Sequence, residues 1–342
     1  MNTIMMKNDV EAIGRPARVG YLGVGWIGRH RMEAMLATGL VEAVAIVDPS
    51  PEMREAAMKA APQAKVLSDF NELLAEDLDG VVIATPSAQH AEQTIQALNA
   101  GVAVFCQKPL GRTAREVGAV LEAARQRDRL IGVDLSYRQT EAMQRIKALL
   151  QAQHLGQISA VDLTFHNAYG PDKPWFYDKA LSGGGCVIDL GVHLIDLALW
   201  ALDFPQVIDV TSNLFAQGRP LSSTPEEVED YAVATLVLAT GTVVRLACSW
   251  RLNAGQDCII DATFYGTAGG AAMRNVGGSF YDFVAHRFSG TVTEQLAGPP
   301  DEWGGRAATA WARQLVRNGA FDTEAENLVC VAEVIDRIYT GA

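Results

Sequence analysis

The sequence predicts two domains of different class. A doubly wound parallel α/β domain spans residues 17–136, and a mostly antiparallel, open-faced sheet domain of α+β type spans residues 137–342. Three observations predict this. At 342 residues the chain is long for one hydrophobic core. Through Ser136, short apolar runs alternate with helical stretches, as in a parallel sheet covered on both faces. Beyond Gln157, strand-like runs follow one another with a single helix among them, and consecutive strands without crossover helices pair antiparallel.

In chain order, Ala17–Leu22 is a short apolar strand, and Arg29–Thr38 has helical composition that stops at Gly39. Val41–Val47 is a β-rich run closed by Asp48-Pro49, and Pro51–Ala61 is a helix opened by its proline. Gly80–Ala84 is apolar throughout, as a strand buried on both faces must be; Thr85-Pro86 ends it and Ser87–Asn99 is helical. Val102–Cys106 is a second buried strand. Thr113-Ala114-Arg115-Glu116 is a capping box that opens a helix to Arg127, before a strand at Leu130–Val133. In the second domain Glu141–Gln151 and Cys186–Leu202 are helices. The strands are Ser159–His166, Val207–Phe215, Tyr231–Leu238, Thr242–Trp250 and Asp257–Tyr265, with a hairpin turn at Ala239–Thr242. Helices at Trp303–Asn318 and Thr323–Tyr339 close the chain and are free to pack back on the first domain.

About half the residues (49%) are apolar and 20% are charged, the balance of an ordinary globular protein. The net charge of −12, without a lysine/arginine cluster, argues against a nucleic-acid partner. Five scattered cysteines without a CxxC pair suit reduced, buried thiols and support neither a disulfide framework nor a metal site. No stretch approaches the ~20 apolar residues of a membrane span. The charged leader lacks a signal-peptide core, so the expectation is a cytoplasmic protein with a poorly ordered leading tail of about 15 residues.

Gly23-x-Gly25-x-x-Gly28 follows the first strand and opens a helix. Glycines there permit a tight turn and close approach of a pyrophosphate, and the helix start, with Trp26 and Ile27, offers free N–H groups. Asp48, twenty positions on, can hydrogen-bond the adenosine ribose and repel a 2′-phosphate, which favours NAD; nearby Arg54 keeps NADP as the alternative. Thr85, Pro86 and His90 lie at the strand edge where ligands bind, and either a cofactor-side or a structural role suits His90. Gln107 and Lys108 follow the next strand as candidate cofactor-binding residues and put a cation at the mouth of the sheet. Gly183-Gly184-Gly185 precedes Asp189 and His193, a carboxylate and an imidazole four apart, which a helix places on one face. Each has a plainer reading: a solvated strand-end lysine, a helix-capping aspartate, a core histidine packed with Leu190, Leu194 and Leu197. Together with the glycine turn they point to a hydride-transfer site.

These segments, with Thr85-Pro86, His90, Lys108-Pro109 and Asp189-x-Gly191-x-His193, resemble the glucose–fructose oxidoreductase/inositol dehydrogenase (Gfo/Idh/MocA) family over nearly the whole chain. The resemblance implies a Rossmann domain followed by an open-faced sheet that mediates oligomers, here a homodimer or homotetramer. It also implies NAD(P)-linked oxidation of a sugar or polyol hydroxyl, or reduction of the ketone. Lys108 would donate to the reacting oxygen, His193 would act as base, and Asp189 would orient the imidazole or hold a neighbouring hydroxyl. The family pattern carries Glu before Lys-Pro where this chain has Gln107. Tyr137, Arg138, Lys173 and Trp175 are the candidate substrate contacts, with loop packing or a subunit contact as the alternative for Lys173 and Trp175. The rival of another class is a non-catalytic dinucleotide-binding regulator, which would be expected to lose the lysine or the histidine.

Overall fold

The computed structural model describes residues 15–221 and 227–341, which form two compact units. The expected poorly ordered tail lies outside the described residues. The first unit comprises the chain up to Gly111, Arg115–Asp134 and Gly304–Glu326.

In the first unit, six strands form one parallel sheet in the order β3-β2-β1-β4-β5-β6. They are β1 (Ala17–Leu22), β2 (Val41–Val47), β3 (Lys65–Val66), β4 (Gly80–Ile83), β5 (Ala103–Cys106) and β6 (Ile131–Val133). The order reverses between β1 and β4, and ligands bind outside the carboxyl ends of strands at such a point. β4 and β5 are buried along their whole length, which accounts for their unbroken apolar sequence. The covering helices are α1 (Trp26–Leu36), α2 (Pro51–Ala60), α3 (Phe70–Leu74), α4 (Ser87–Asn99) and α5 (Ala114–Arg127). Ser50 caps α2 by accepting from the Met53 amide at 3.3 Å, and Asp69 caps α3. A returning helix, Arg306–Arg317, completes this core. Its Trp311 is buried with the ring centroid 5.8 Å from that of Phe105.

The second unit is built on a nine-stranded sheet ordered β15-β14-β13-β12-β7-β11-β10-β8-β9. Its strands are β7 (Ile158–Asn167), β8 (Val207–Ala216), β9 (Arg219–Pro220), β10 (Tyr231–Leu238), β11 (Val243–Ser249), β12 (Cys258–Gly266), β13 (Gly269–Asn275), β14 (Phe283–Ser289) and β15 (Val292–Ala297). All pairings are antiparallel except that of β7 with β11. β10 shows the period of two: Ala232, Ala234, Leu236 and Leu238 are buried, while Tyr231, Val233, Thr235 and Val237 are half-exposed. The covering helices are α6 (Glu141–Gln151), α7 (Lys179–Ser182), α8 (Val192–Ala201) and, at the end of the chain, α10 (Leu328–Thr340); the returning helix of the first unit is α9.

Two expectations are corrected here. The helix expected over Cys186–Leu202 is not uniform, because Val187–Gly191 is a π-helical turn that runs into α8. The stretch Lys179–Ala201, at 23 residues, is also long and apolar enough to cross a membrane, contrary to the reading that no segment approaches that length. Most of it is buried among Phe165, Leu246, Ile260 and Ile338, so it is a core segment of the second unit.

Candidate active site

On the first unit the site begins at the glycine turn. Gly23 has φ 84°, and a Cβ there would come within 2.6 Å of the Ala84 carbonyl oxygen, so only glycine fits. At Gly25 a Cβ would meet no protein atom within 4 Å. The space beside the N-terminus of α1 is therefore open, and no side chain caps that helix. An open cradle at an uncapped helix start fits a dinucleotide pyrophosphate. Trp26 is 60% exposed at the head of the helix, Ile27 is half-buried and Gly28 is buried. Asp48 is buried, and its two oxygens accept from the Val24 and Ser50 amides, each at 2.8 Å. It thereby fixes the turn against the end of β2.

The same edge carries the second cluster. His90 is buried between two carbonyls, Nδ1 at 2.7 Å from Pro109 O and Nε2 at 2.7 Å from Thr85 O. Burial pushes its pKa down, and the two carbonyls oppose that shift. The ring straps the Thr85-Pro86 turn to the segment that carries Lys108, whose peptide to Pro109 is cis. Thr85 Oγ1 donates to Gln93 at 2.6 Å. Gln107 and Lys108 are half-buried, and Gln107 Nε2 donates to Asp134 Oδ2. Asp134 also accepts from Arg31 Nε at 2.6 Å, and both side chains of that pair are buried. Cys106 beside them is pushed up to about 12 by burial.

In the second unit the glycine triplet leads into the π-helical turn. A Cβ at Gly185 would stand 1.9 Å from the Glu229 carbonyl oxygen, so residue 185 must be glycine for the chain to pass. The buried Glu229 accepts through Oε1 from the Gly185 amide (3.0 Å), the Val187 amide (2.9 Å) and the Tyr339 hydroxyl (2.8 Å). Burial pushes its carboxyl pKa up against those donors. The turn sets down Asp189, half-buried, whose Oδ2 accepts from Trp250 Nε1 at 3.0 Å. His193 is buried and meets the Tyr137 ring edge-on, with centroids 4.8 Å apart. Phe165, Phe283 and Trp303 complete an aromatic wall around Tyr137, and burial pushes the Tyr137 hydroxyl pKa up.

Of the other candidates, Trp175 stacks on Phe176 at 3.8 Å, and Lys173 is exposed beside Asp172 at 3.1 Å. The fork of Arg138 is taken up by Asp196: Nε donates to Oδ2 at 2.7 Å and Nη2 donates to Oδ1. The Trp200 and Phe204 rings lie against the guanidinium. Several contributors were not found by sequence reasoning, namely Arg31, Asp134, Glu229, Trp250 and Arg251. Arg251 has φ 58°, donates to the Tyr177 hydroxyl at 3.1 Å and lies 5.1 Å from that ring's centroid. No local motif marks these positions, since their partners stand 27 to 110 residues away. Among the described residues no group of three or more His, Cys, Asp or Glu could hold a metal ion.

Comparison with known proteins meets this geometry in both units. Residues 17–135 match the family model described as "Oxidoreductase family, NAD-binding Rossmann fold", and residues 143–272 match the GFO/IDH/MocA C-terminal domain. A proposed UDP-kanosamine synthase oxidoreductase subunit of Amycolatopsis mediterranei (strain S699) is 32% identical over 276 residues, 75% of either chain. The D-glucoside 3-dehydrogenase of Escherichia coli (strain K12) is 28% identical over 75% of this chain and 77% of its own. Levoglucosan dehydrogenase, solved with NADH and levoglucosan, superposes with a TM-score of 0.81 at 22% identity, covering 96% of this chain and 97% of that one. That last likeness carries the fold alone. With a matching model in each unit and a relative above 30% identity, the chain belongs to the Gfo/Idh/MocA oxidoreductase family.

Proposed function

We propose that the protein is an NAD-dependent oxidoreductase, with NADP as the alternative cofactor. It moves a hydride between nicotinamide and a secondary hydroxyl or ketone of a sugar, polyol or sugar derivative. The observation that carries this is the retention of Lys108, Asp189 and His193 in a chain whose glycine turn leaves open space for a pyrophosphate. A non-catalytic regulator has no use for that lysine and histidine, so the enzyme reading is preferred. The relatives named D-glucoside 3-dehydrogenase and Inositol 2-dehydrogenase support a carbohydrate or polyol substrate.

The bound dinucleotide supplies the hydride acceptor or donor. Gly23, Gly25 and Gly28 with the first N–H groups of α1 hold its pyrophosphate, flanked by Trp26 and Ile27. Asp48 closes the ribose end and favours NAD, Thr85 and Pro86 border the cradle, and His90 stiffens its wall. Lys108 donates to the substrate oxygen and stabilises its alkoxide character as the C–H bond breaks. His193 takes the hydroxyl proton in oxidation and returns it in reduction. Asp189, held from behind by Trp250, binds a neighbouring hydroxyl or orients the imidazole. Tyr137, Trp175 and Lys173 supply substrate contact, and Arg251 is the further cation on that side.

The open sheet face supports a homodimer or homotetramer, and five scattered cysteines without a pairing pattern support a cytoplasmic setting. An absorbance screen at the reduced-nicotinamide band tests the activity, with NAD and NADP in parallel against inositols, aldoses, glycosides, sugar acids and nucleotide sugars. Turnover with one substrate class is expected. Lys108→Ala should cut it by about 100-fold or more while leaving cofactor affinity within about threefold. Full turnover in that variant would remove Lys108 from the mechanism.

A further inference from the structure

The buried trio Arg31–Asp134–Gln107 has no part in the hydride-transfer scheme, yet it joins three elements at the cofactor edge. Arg31 lies on α1, the helix that opens at the glycine turn. Asp134 follows β6, with its amide donating to Cys106 O at 3.0 Å. Gln107 follows β5, with its amide donating to Ile83 O at 2.8 Å. Asp134 is 1% exposed and its ion pair with Arg31 is nearly as deeply buried. A buried ion pair contributes little net stability, because desolvation offsets the attraction. Its place in the fold is better explained by what it orients.

What it orients is an amide. Asp134 Oδ2 takes donors from both Arg31 Nε and Gln107 Nε2. A carboxylate accepts only, so the Gln107 amide has one permitted orientation, with its nitrogen toward Asp134 and its oxygen away from it. We propose that Asp134, held by Arg31, is a positioning residue that fixes the Gln107 carbonyl oxygen as a neutral acceptor for a hydroxyl of the bound dinucleotide. This rests on the dehydrogenase reading and adds two residues to it. It also explains the amide at this position: a glutamate here would set two carboxylates against each other, and one would have to hold a proton.

The charged and titratable groups around the Gln107–Asp134 pair are Arg31, His30, Lys108, Cys106 and His90. His30 Nδ1 lies 2.8 Å from Arg31 Nη1. All five are common to wild type and variants, so the ratio of affinities isolates the pair. The test is NAD titration by fluorescence quenching, with a thermal melt of each variant and no dependence on turnover. In Gln107→Glu the affinity relative to wild type should fall by about tenfold or more between about pH 6 and about pH 8, as the shared proton is lost. Adding Asp134→Asn to Gln107→Glu should abolish that pH dependence and recover affinity. Gln107→Met, which has similar bulk and no acceptor, should weaken binding at every pH.

A Gln107→Glu ratio that does not move with pH, or a double variant no better than the single one, overturns the inference. So does a Gln107→Met variant that melts normally and binds NAD as wild type does. Any of these outcomes with Lys108→Ala still inactive leaves the dehydrogenase reading standing. A wild type that binds no dinucleotide overturns both.

Discussion

Glu229 shows how one side chain governs the geometry of the second unit's site. Three donors converge on its Oε1, from the glycine triplet, the π-helical turn and α10. Glu229→Ala leaves two amides and a phenol without their acceptor in a buried place, which should cost on the order of 3 kcal/mol in urea unfolding. Glu229→Gln keeps an oxygen at that point and should stay within about 1 kcal/mol of wild type. Equal losses for the two variants would show that charge, rather than the acceptor, holds the turn. The Asp189–Trp250 bond follows the same logic, since a buried indole N–H finds a carboxylate and in doing so fixes it.

At the level of elements, the alternation of strand and helix made most of the first unit legible, because each full βα step has its own period, cap and stop, whereas β3 and α3, at two and five residues, are too short to show one. The second unit was half legible. β7, β10, β11 and β12 bury apolar residues at alternate positions and β8 is a β-rich run, whereas β13 begins Gly-Gly-Ala-Ala and shows no period. β15 is largely exposed and lacks an apolar face. The π-helical turn was invisible because its cause, the acceptor at Glu229, lies 42 residues from Val187. The motif residues of the site were readable, while the supports behind them were not, for they act across pairings that local sequence does not encode. Arg138 illustrates this: its charge was evident, but not that Asp196 occupies its fork. The sheet's outer face carries Val233, Val237, Val243, Ile259 and Tyr265 half-buried or exposed. Light scattering should therefore report a dimer or larger, and Val233→Glu with Val237→Glu should shift it to monomer; a monomeric wild type would sink the oligomer proposal.

For the whole molecule, the response to acid is a sum of two signs. Burial lowers the pKa of His30, His90 and His166. Their contribution to stability is complete above the unfolded histidine value of about 6.5 and is lost as pH falls toward the folded values. Burial raises the pKa of Asp196 and Glu229. Their contribution is complete below the unfolded carboxylate value of about 4 and is lost as pH rises through the folded values. The two sets oppose each other across mildly acidic pH and flatten the wild-type curve. Glu229→Gln should make the melting temperature fall more steeply on acidification, and His166→Asn should make it fall less steeply. Melting curves between about pH 4.5 and about pH 7 check both, and unaltered slopes would show that these groups are not the titrating ones.

The returning helix α9 has a consequence for how the chain is made. The first unit's core includes Ala308, Trp311, Ala312 and Leu315, more than 170 residues beyond the end of β6. On the ribosome, the nucleotide-binding half therefore emerges early but stays without this part of its core until α9 has followed, about 170 residues later. A fragment cut at the apparent domain boundary would expose the apolar surface that Trp311 covers. A premature stop before α9, about 170 codons beyond β6, would damage the half of the protein encoded first.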